Sequence, residues 1–227
     1  MTKKLVWLSS YPKSGNTWLR IIISNLLGEK ELDINDLEAM PIASSRYVFE
    51  FYCGFNSTNI THDEADQMRP VVNDLFAKDC EEITFRKNHD AFQYLENGQP
   101  LHGNPEFYKT IYIIRNPLSI VASLANHNQV SLDRAIEQMN KEDYSLSKTT
   151  RKHPGQLRQK LFSWRSHVKS WNENNELEVQ TIRYEDIFYQ PLETLKKAFT
   201  FAGLDFTDKK ILDAYDKSNF NEIKQKE

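Results

Sequence analysis

The chain has 227 residues, of which 39% are hydrophobic and 27% charged, and its net charge is −3. This is the balance of a soluble globular protein, and the length suits one large domain or two small ones. A nearly neutral molecule is not built to coat nucleic acid or an anionic membrane, although a local cluster of Lys and Arg can still hold a small anion.

Near the start, Leu5-Val6-Trp7-Leu8 is too short an apolar run for a signal-peptide core or a membrane span, and Lys4 to Ser9 reads as a buried strand. Ser10 to Gly15 is turn chemistry. From Asn16 a helical apolar period begins at Leu19, Ile22, Ile23, Leu26 and Leu27, and it stops at Gly28. Residues 31–80 carry no decodable pattern apart from an aromatic cluster, Phe49, Phe51, Tyr52 and Phe55, which we read as core in preference to a pocket lining.

A second strand is predicted over Glu82 to Lys87, followed by Asn88-His89-Asp90, and a third over Thr110 to Ile114, running into Arg115-Asn116-Pro117. Asn116 is placed to cap a helix whose first residue is Pro117. Ser131-Leu132-Asp133 opens another helix. Tyr144 to Gln156 reads as a polar loop, Leu157 to Trp171 as a helix and Glu178 to Arg183 as a fourth strand. Tyr184-Glu185-Asp186 and two terminal helices, Leu192 to Ala202 and Asp208 to Tyr215, follow. Without a repeat or a dividing linker, we expect a single domain over residues 1–227. The two cysteines, Cys53 and Cys80, match neither a disulfide framework nor a zinc site, and a cytoplasmic location follows by default.

Strands alternating with helices imply an α/β fold with a mostly parallel central sheet flanked by helices on both faces. Ligands of such sheets bind at the carboxyl ends of the strands. Those ends carry Lys13, Lys87, His89, Arg115 and Tyr184. The loop Tyr11-Pro12-Lys13-Ser14-Gly15-Asn16-Thr17-Trp18 lies between strand and helix, where uncapped backbone N–H groups and the helix dipole favour an anion. Lys13 adds a full charge, Gly15 allows close approach, and Ser14, Asn16 and Thr17 add donors. It is not the loop of the nucleoside triphosphatases, in which Lys directly precedes the magnesium-binding Ser or Thr.

The segment Tyr11 to Trp18 resembles the 5′-phosphosulfate loop of the cytosolic-type sulfotransferases, usually Tyr-Pro-Lys-Ser-Gly-Thr-Thr-Trp, with Asn16 the one departure. Ile113 to Pro117 with Ser123 resembles the family's 3′-phosphate motif, and Lys87-Asn88-His89 its Lys-x-His. The resemblance runs from about residue 4 to 220 and implies a P-loop-like sulfotransferase fold. It implies 3′-phosphoadenosine 5′-phosphosulfate (PAPS) as donor and 3′,5′-adenosine bisphosphate (PAP) as product, with no metal. By the same resemblance Lys13, Ser14, Gly15, Asn16, Thr17 and Trp18 hold the 5′ side and the purine, and Arg115 and Ser123 hold the 3′-phosphate. Tyr184, and Ser218 with Phe220, contact the nucleotide. His89 would be the general base, with Lys13 and Lys87 balancing charge at the sulfuryl group. Asp90 is an alternative base or an orienting partner for His89. His167 reads as a partly exposed helix residue, and Trp164, Val168 and Trp171 as scaffold.

The family's Arg-Lys-Gly clasp on the 3′-phosphate has no match here, so either another basic side chain replaces it or it lies beyond Glu227. A small-molecule acceptor is expected, a hydroxyl ahead of an amine or carbamate nitrogen, with no nucleic acid or membrane partner. The competing readings are a non-catalytic adenine-nucleotide module and, further off, a nucleotide kinase.

Overall fold

The computed structural model describes residues 3–28, 40–148 and 155–218. Four parallel strands form the central sheet in the order β2 (Thr84–Asn88), β1 (Leu5–Ser10), β3 (Tyr108–Ile114) and β6 (Val179–Arg183). Every residue of β1 is buried, as the central strand of a sheet covered on both faces must be. Its side chains alternate between two cores. Val6 and Leu8 join Ile111, Ile113 and Ile182 against α1 (Asn16–Leu27), α8 (Pro191–Ala202) and α9 (Asp208–Asp216). Leu5 and Trp7 face the other way, towards Phe76 of α3 (His62–Asp79). On that second face Tyr112 meets Trp171 of α6 (Trp164–Asn172). A separate cluster packs α4 (Pro117–Asn128) and α5 (Leu132–Met139) around Tyr11.

The local signals act where the sequence places them. Gly28 ends α1 in the left-handed conformation at φ 75°. The Asn116 side chain accepts from the Leu118 N–H, with Pro117 at the first helical position. Segment 40–80, which the sequence left blank, holds α2 (Arg46–Cys53) and α3. A legible signal existed for α3: Thr61 and Glu64 form a reciprocal capping box, with the Thr61 N–H donating to Glu64 Oε2 at 2.7 Å. The aromatic cluster splits. Phe49 is buried, whereas Phe51 is 69% exposed.

One predicted element needs correction. The helix expected from Leu157 begins only at Trp164, where Ser163 caps it by accepting from the Ser166 N–H at 3.1 Å. The residues before it are not helical, and Phe162 takes a positive φ of 57°. Gln159–Lys160 is β5, antiparallel to β4 (Ser145–Leu146) inside the segment read as a loop. Residues 157, 159, 161 and 163 are buried in strict alternation. Leu157 and Leu161 are four apart, a spacing that fits a period of two as well as one of 3.6. A short helix, α7 (Tyr184–Tyr189), also follows β6 directly.

Candidate active site

Because the strands are parallel and in step, their carboxyl ends deliver side chains to one edge. Ser9 of β1 pairs with Asn88 of β2, and Ile114 of β3 with Arg183 of β6. The residues that leave this edge are therefore the 11–15 loop, His89, Arg115 and Tyr184.

In the loop, Lys13 and Gly15 both take positive φ, 67° and 96°, on either side of Ser14. Alternation of this kind turns successive N–H groups inward as an anion-binding concavity. Helix α1 then starts with no side-chain cap and no acidic residue in its first turn, so nothing on the helix competes with an anion there. Gly15 is obligatory for a second reason: a Cβ there would lie 2.4 Å from Cδ2 of Tyr184. The Lys13 carbonyl accepts from the Arg115 guanidinium at 2.9 Å, and Arg115 also lies over the Tyr184 ring, 4.2 Å from its centroid. Thus the three motifs read separately from the sequence meet at Lys13, Gly15, Arg115 and Tyr184.

The side chains of the loop divide. Thr17 is exposed at the first turn of α1. Ser14 Oγ is buried and has no hydrogen-bond partner among the described residues. Asn16 turns inward: its amide donates to the Leu8 carbonyl at 2.8 Å and to Ser10 Oγ at 3.2 Å. That amide ties the loop to the end of β1, which leaves its backbone, not its side chain, facing the anion position.

Positive charge gathers at this edge. Burial, with the charges of Arg20 and Lys13, pushes Lys87 down to about 8. Arg20 was not singled out from the sequence, although a buried Arg within Leu19 to Ile23 is itself a signal, since arginine is rarely buried without purpose. It donates to the Met40 carbonyl at 3.2 Å, and burial holds it below its ordinary value.

His89 sits just past β2, half-buried, with Nδ1 2.8 Å from the Ser10 carbonyl and 3.4 Å from Ser10 Oγ. A carbonyl only accepts, so in the neutral ring Nδ1 carries the proton and Nε2 keeps its lone pair. Burial, and then the charge of Lys87, pushes the imidazole down to about 3. Asp90 does not orient this ring. Its carboxylate is fully buried against Arg69, at 2.6 Å, and accepts the Lys160 N–H at 2.8 Å.

His167 corrects the sequence reading: it is fully buried, not partly exposed. Its ring bonds Tyr112 on one side and the His89 carbonyl on the other. A strand tyrosine and a backbone carbonyl satisfy both of its ring nitrogens away from solvent. Trp171 is buried as expected, and Trp164 is partly so.

Trp18 packs against Tyr184 with ring centroids 5.5 Å apart and donates Nε1–H to the Ser218 carbonyl at 2.9 Å. Ser218 is buried, and its hydroxyl donates to the Ala214 carbonyl at 2.7 Å and accepts from Asn25 at 2.8 Å. That hydroxyl joins α9 to α1 and is spoken for within the protein. Phe220 lies outside the described residues. Ser123 is half-buried on α4.

The sequence profile of the sulfotransferase domain matches residues 3–227. The chain belongs to the sulfotransferase family. A flavonol 4′-sulfotransferase of Flaveria chlorifolia is 23% identical over 209 residues, covering 89% of this chain and 56% of that protein. Among solved structures, a mouse sulfotransferase complexed with PAP superimposes with a TM-score of 0.62 at 20% identity, over 98% of this chain and 66% of that one. Retinol dehydratase in complex with androsterone and PAP gives 0.57 at 18%, over 100% and 67%. The parallel sheet and its phosphate-type loop are thus the P-loop-like sulfotransferase fold. This sulfotransferase domain spans little more than half the length of its curated relative and about two thirds of those two structures. Among the described residues there is no helix long and apolar enough to cross a membrane and no group of three or more His, Cys, Asp or Glu arranged to hold a metal ion.

Proposed function

We propose that this sulfotransferase domain transfers a sulfuryl group from PAPS to a hydroxyl of a small-molecule acceptor, or to an amine or carbamate nitrogen, with His89 as general base. The observation that carries the reading is the bond between His89 Nδ1 and the Ser10 carbonyl, which leaves an unprotonated Nε2 on the edge where Lys13 and Lys87 lie. The relatives support the donor and acceptor classes, since two of the similar structures hold PAP and the curated relative is named for a flavonol.

The residues fit the donor. An uncapped helix start, a buried unpartnered Ser14 hydroxyl and an unpartnered Arg115 Nε suit phosphate oxygens. The Trp18 and Tyr184 rings suit a purine. PAPS supplies an activated sulfuryl group on a phosphate leaving group. His89 Nε2 takes the acceptor's proton as the acceptor oxygen bonds sulfur, a contribution of about 10²–10⁴-fold. Lys13 meets the charge left on the phosphate as the old sulfur–oxygen bond breaks, and Lys87 steadies the sulfuryl oxygens. Burial and the Lys87 charge hold the free His89 ring neutral at neutral pH, with the Nε2 lone pair open, and a bound anionic donor would offset the Lys87 charge and raise its basicity.

The test is His89→Ala, assayed for PAP binding by calorimetry and for transfer of labelled sulfuryl to a panel of phenols, alcohols and amines. PAP affinity should hold within about twofold while transfer falls ~10²-fold or more. Undiminished transfer in the variant removes His89 from the chemistry.

A further inference from the structure

His89 follows the last residue of β2, beyond the reach of the sheet's hydrogen bonds. Something else must hold its peptide, because a base misplaced by an ångström loses much of its effect. The structure assigns that task to His167. Its Nε2 lies 3.0 Å from the His89 carbonyl, and its Nδ1 lies 2.8 Å from the Tyr112 hydroxyl. The carbonyl can only accept, so Nε2 carries the proton, and Nδ1 must then accept from Tyr112. Burial pushes His167 down to about 4, which keeps it in this neutral form.

We propose that His167 is a positioning residue for His89: with Tyr112 fixing its tautomer, it clamps the His89 peptide, while Ser10 clamps the ring. Hydrogen bonds then run in one direction, from the Tyr112 O–H to His167, from His167 to the His89 carbonyl, and from His89 Nδ1–H to the Ser10 carbonyl. The two histidines occupy opposite tautomers, and the only uncommitted ring nitrogen in the chain of bonds is His89 Nε2. The clamp is rigid because its parts are. Tyr112 stands in β3, paired with Ser9 of β1. His167 stands in α6, whose Ser170 Oγ accepts the Phe92 N–H at 3.0 Å just beyond the His89 turn. The Tyr11 ring closes the far side of His167 edge-on, at 5.4 Å between centroids.

The inference rests on the proposed role of His89, so one readout is independent of transfer. Nitrogen-15 NMR of the His89 ring, without donor or acceptor, should show the Nδ1-protonated tautomer in the wild type and a tautomer mixture in His167→Phe. With PAPS and a flavonol or a simple phenol, His167→Phe should lose ~10²-fold in kcat, while acceptor KM and PAP affinity stay within about twofold. His167→Gln, which can place an amide N–H near the Nε2 position, should recover most of that loss. Tyr112→Phe removes one hydroxyl without disturbing the strand; it should give an intermediate loss and a partial tautomer shift, and it carries the test if His167→Phe does not fold. A folded His167→Phe, or failing that Tyr112→Phe, with wild-type kcat and an unchanged His89 spectrum overturns the proposal, as does a His167→Gln as impaired as His167→Phe. If instead His89→Ala keeps full transfer while the tautomer shift occurs, the clamp stands and the assignment of the base fails.

Discussion

Replacing Gly15 by alanine separates two effects that one glycine combines. The first is backbone strain. At φ 96° an alanine costs about 1–2 kcal/mol. Gly28, at φ 75°, would incur the same penalty, but an added Cβ there meets nothing within 4 Å. Gly28→Ala is therefore the internal control. The second effect belongs to Gly15 alone. Its Cβ would lie 2.4 Å from Tyr184 Cδ2 and 2.8 Å from Cε2, so the ring must retreat by about 1 Å. Overpacking of this kind costs about 1–3 kcal/mol, which makes Gly15→Ala about 2–5 kcal/mol destabilising in all. The displaced ring also disturbs the Arg115 guanidinium that lies over it, and with it the bond to the Lys13 carbonyl. Denaturant unfolding should thus show the larger loss for Gly15→Ala, and calorimetry should show PAP binding weakened at least ~10-fold, or 1.4 kcal/mol, with no such loss in Gly28→Ala. Adding Tyr184→Ala to Gly15→Ala removes the clash and should restore part of the lost stability as a coupling term. Equal destabilisation by the two glycine substitutions, or additivity in the double variant, would refute the reasoning.

Lys87 in the free protein sits near 8, below its ordinary 10.5, because burial and two neighbouring cations disfavour its charge. An anion beside it restores the proton, so PAP affinity should fall as pH rises through about 8, by up to ~10-fold per unit, and Lys87→Met should flatten that profile; an identical profile in the variant assigns the titration elsewhere. Asp90→Asn removes the nearer of the two buried carboxylates that pair with Arg69, leaving Asp66 at 3.5 Å, and should cost about 1–3 kcal/mol in denaturant unfolding. The folded variant should retain transfer; a loss of ~10² in kcat at full folding would make Asp90, not His89, the base.

Strands β1 and β3 were legible as short apolar runs and β6 by its alternation, and the helices because their caps, Asn116, Ser131 and Gly28, are local. The edge residues Lys13, Lys87, His89, Arg115 and Tyr184 were legible for the same reason, as each lies at or just past a strand end. What escaped depends on distance along the chain. Arg20 matters because β2 brings Lys87 beside it, 67 residues on. His167 matters because α6 crosses the end of β2, and no helical period reveals a carbonyl 78 positions away. The 157–161 segment misled because two leucines at a spacing of four satisfy either period until β4 is there to pair with β5.

Treating the cofactor-binding candidates as separate ligands understates how the loop is held. Lys13 is a non-glycine residue in the left-handed region, a conformation that costs about 1–2 kcal/mol and persists only where neighbours enforce it. Arg115 enforces it from β3 by bonding the Lys13 carbonyl, and Tyr184 enforces it from the end of β6 by filling the space beside Gly15. Asn16 enforces it from inside by reaching back to the Leu8 carbonyl. Three strand ends therefore hold one strained turn, and the strain is kept where an anion would meet the N–H groups. A substitution at Arg115 would then act twice, removing the donor proposed for a phosphate and loosening the Lys13 turn. Its effect on PAP affinity should exceed that of losing one phosphate contact, and it should not add independently to Lys13→Ala.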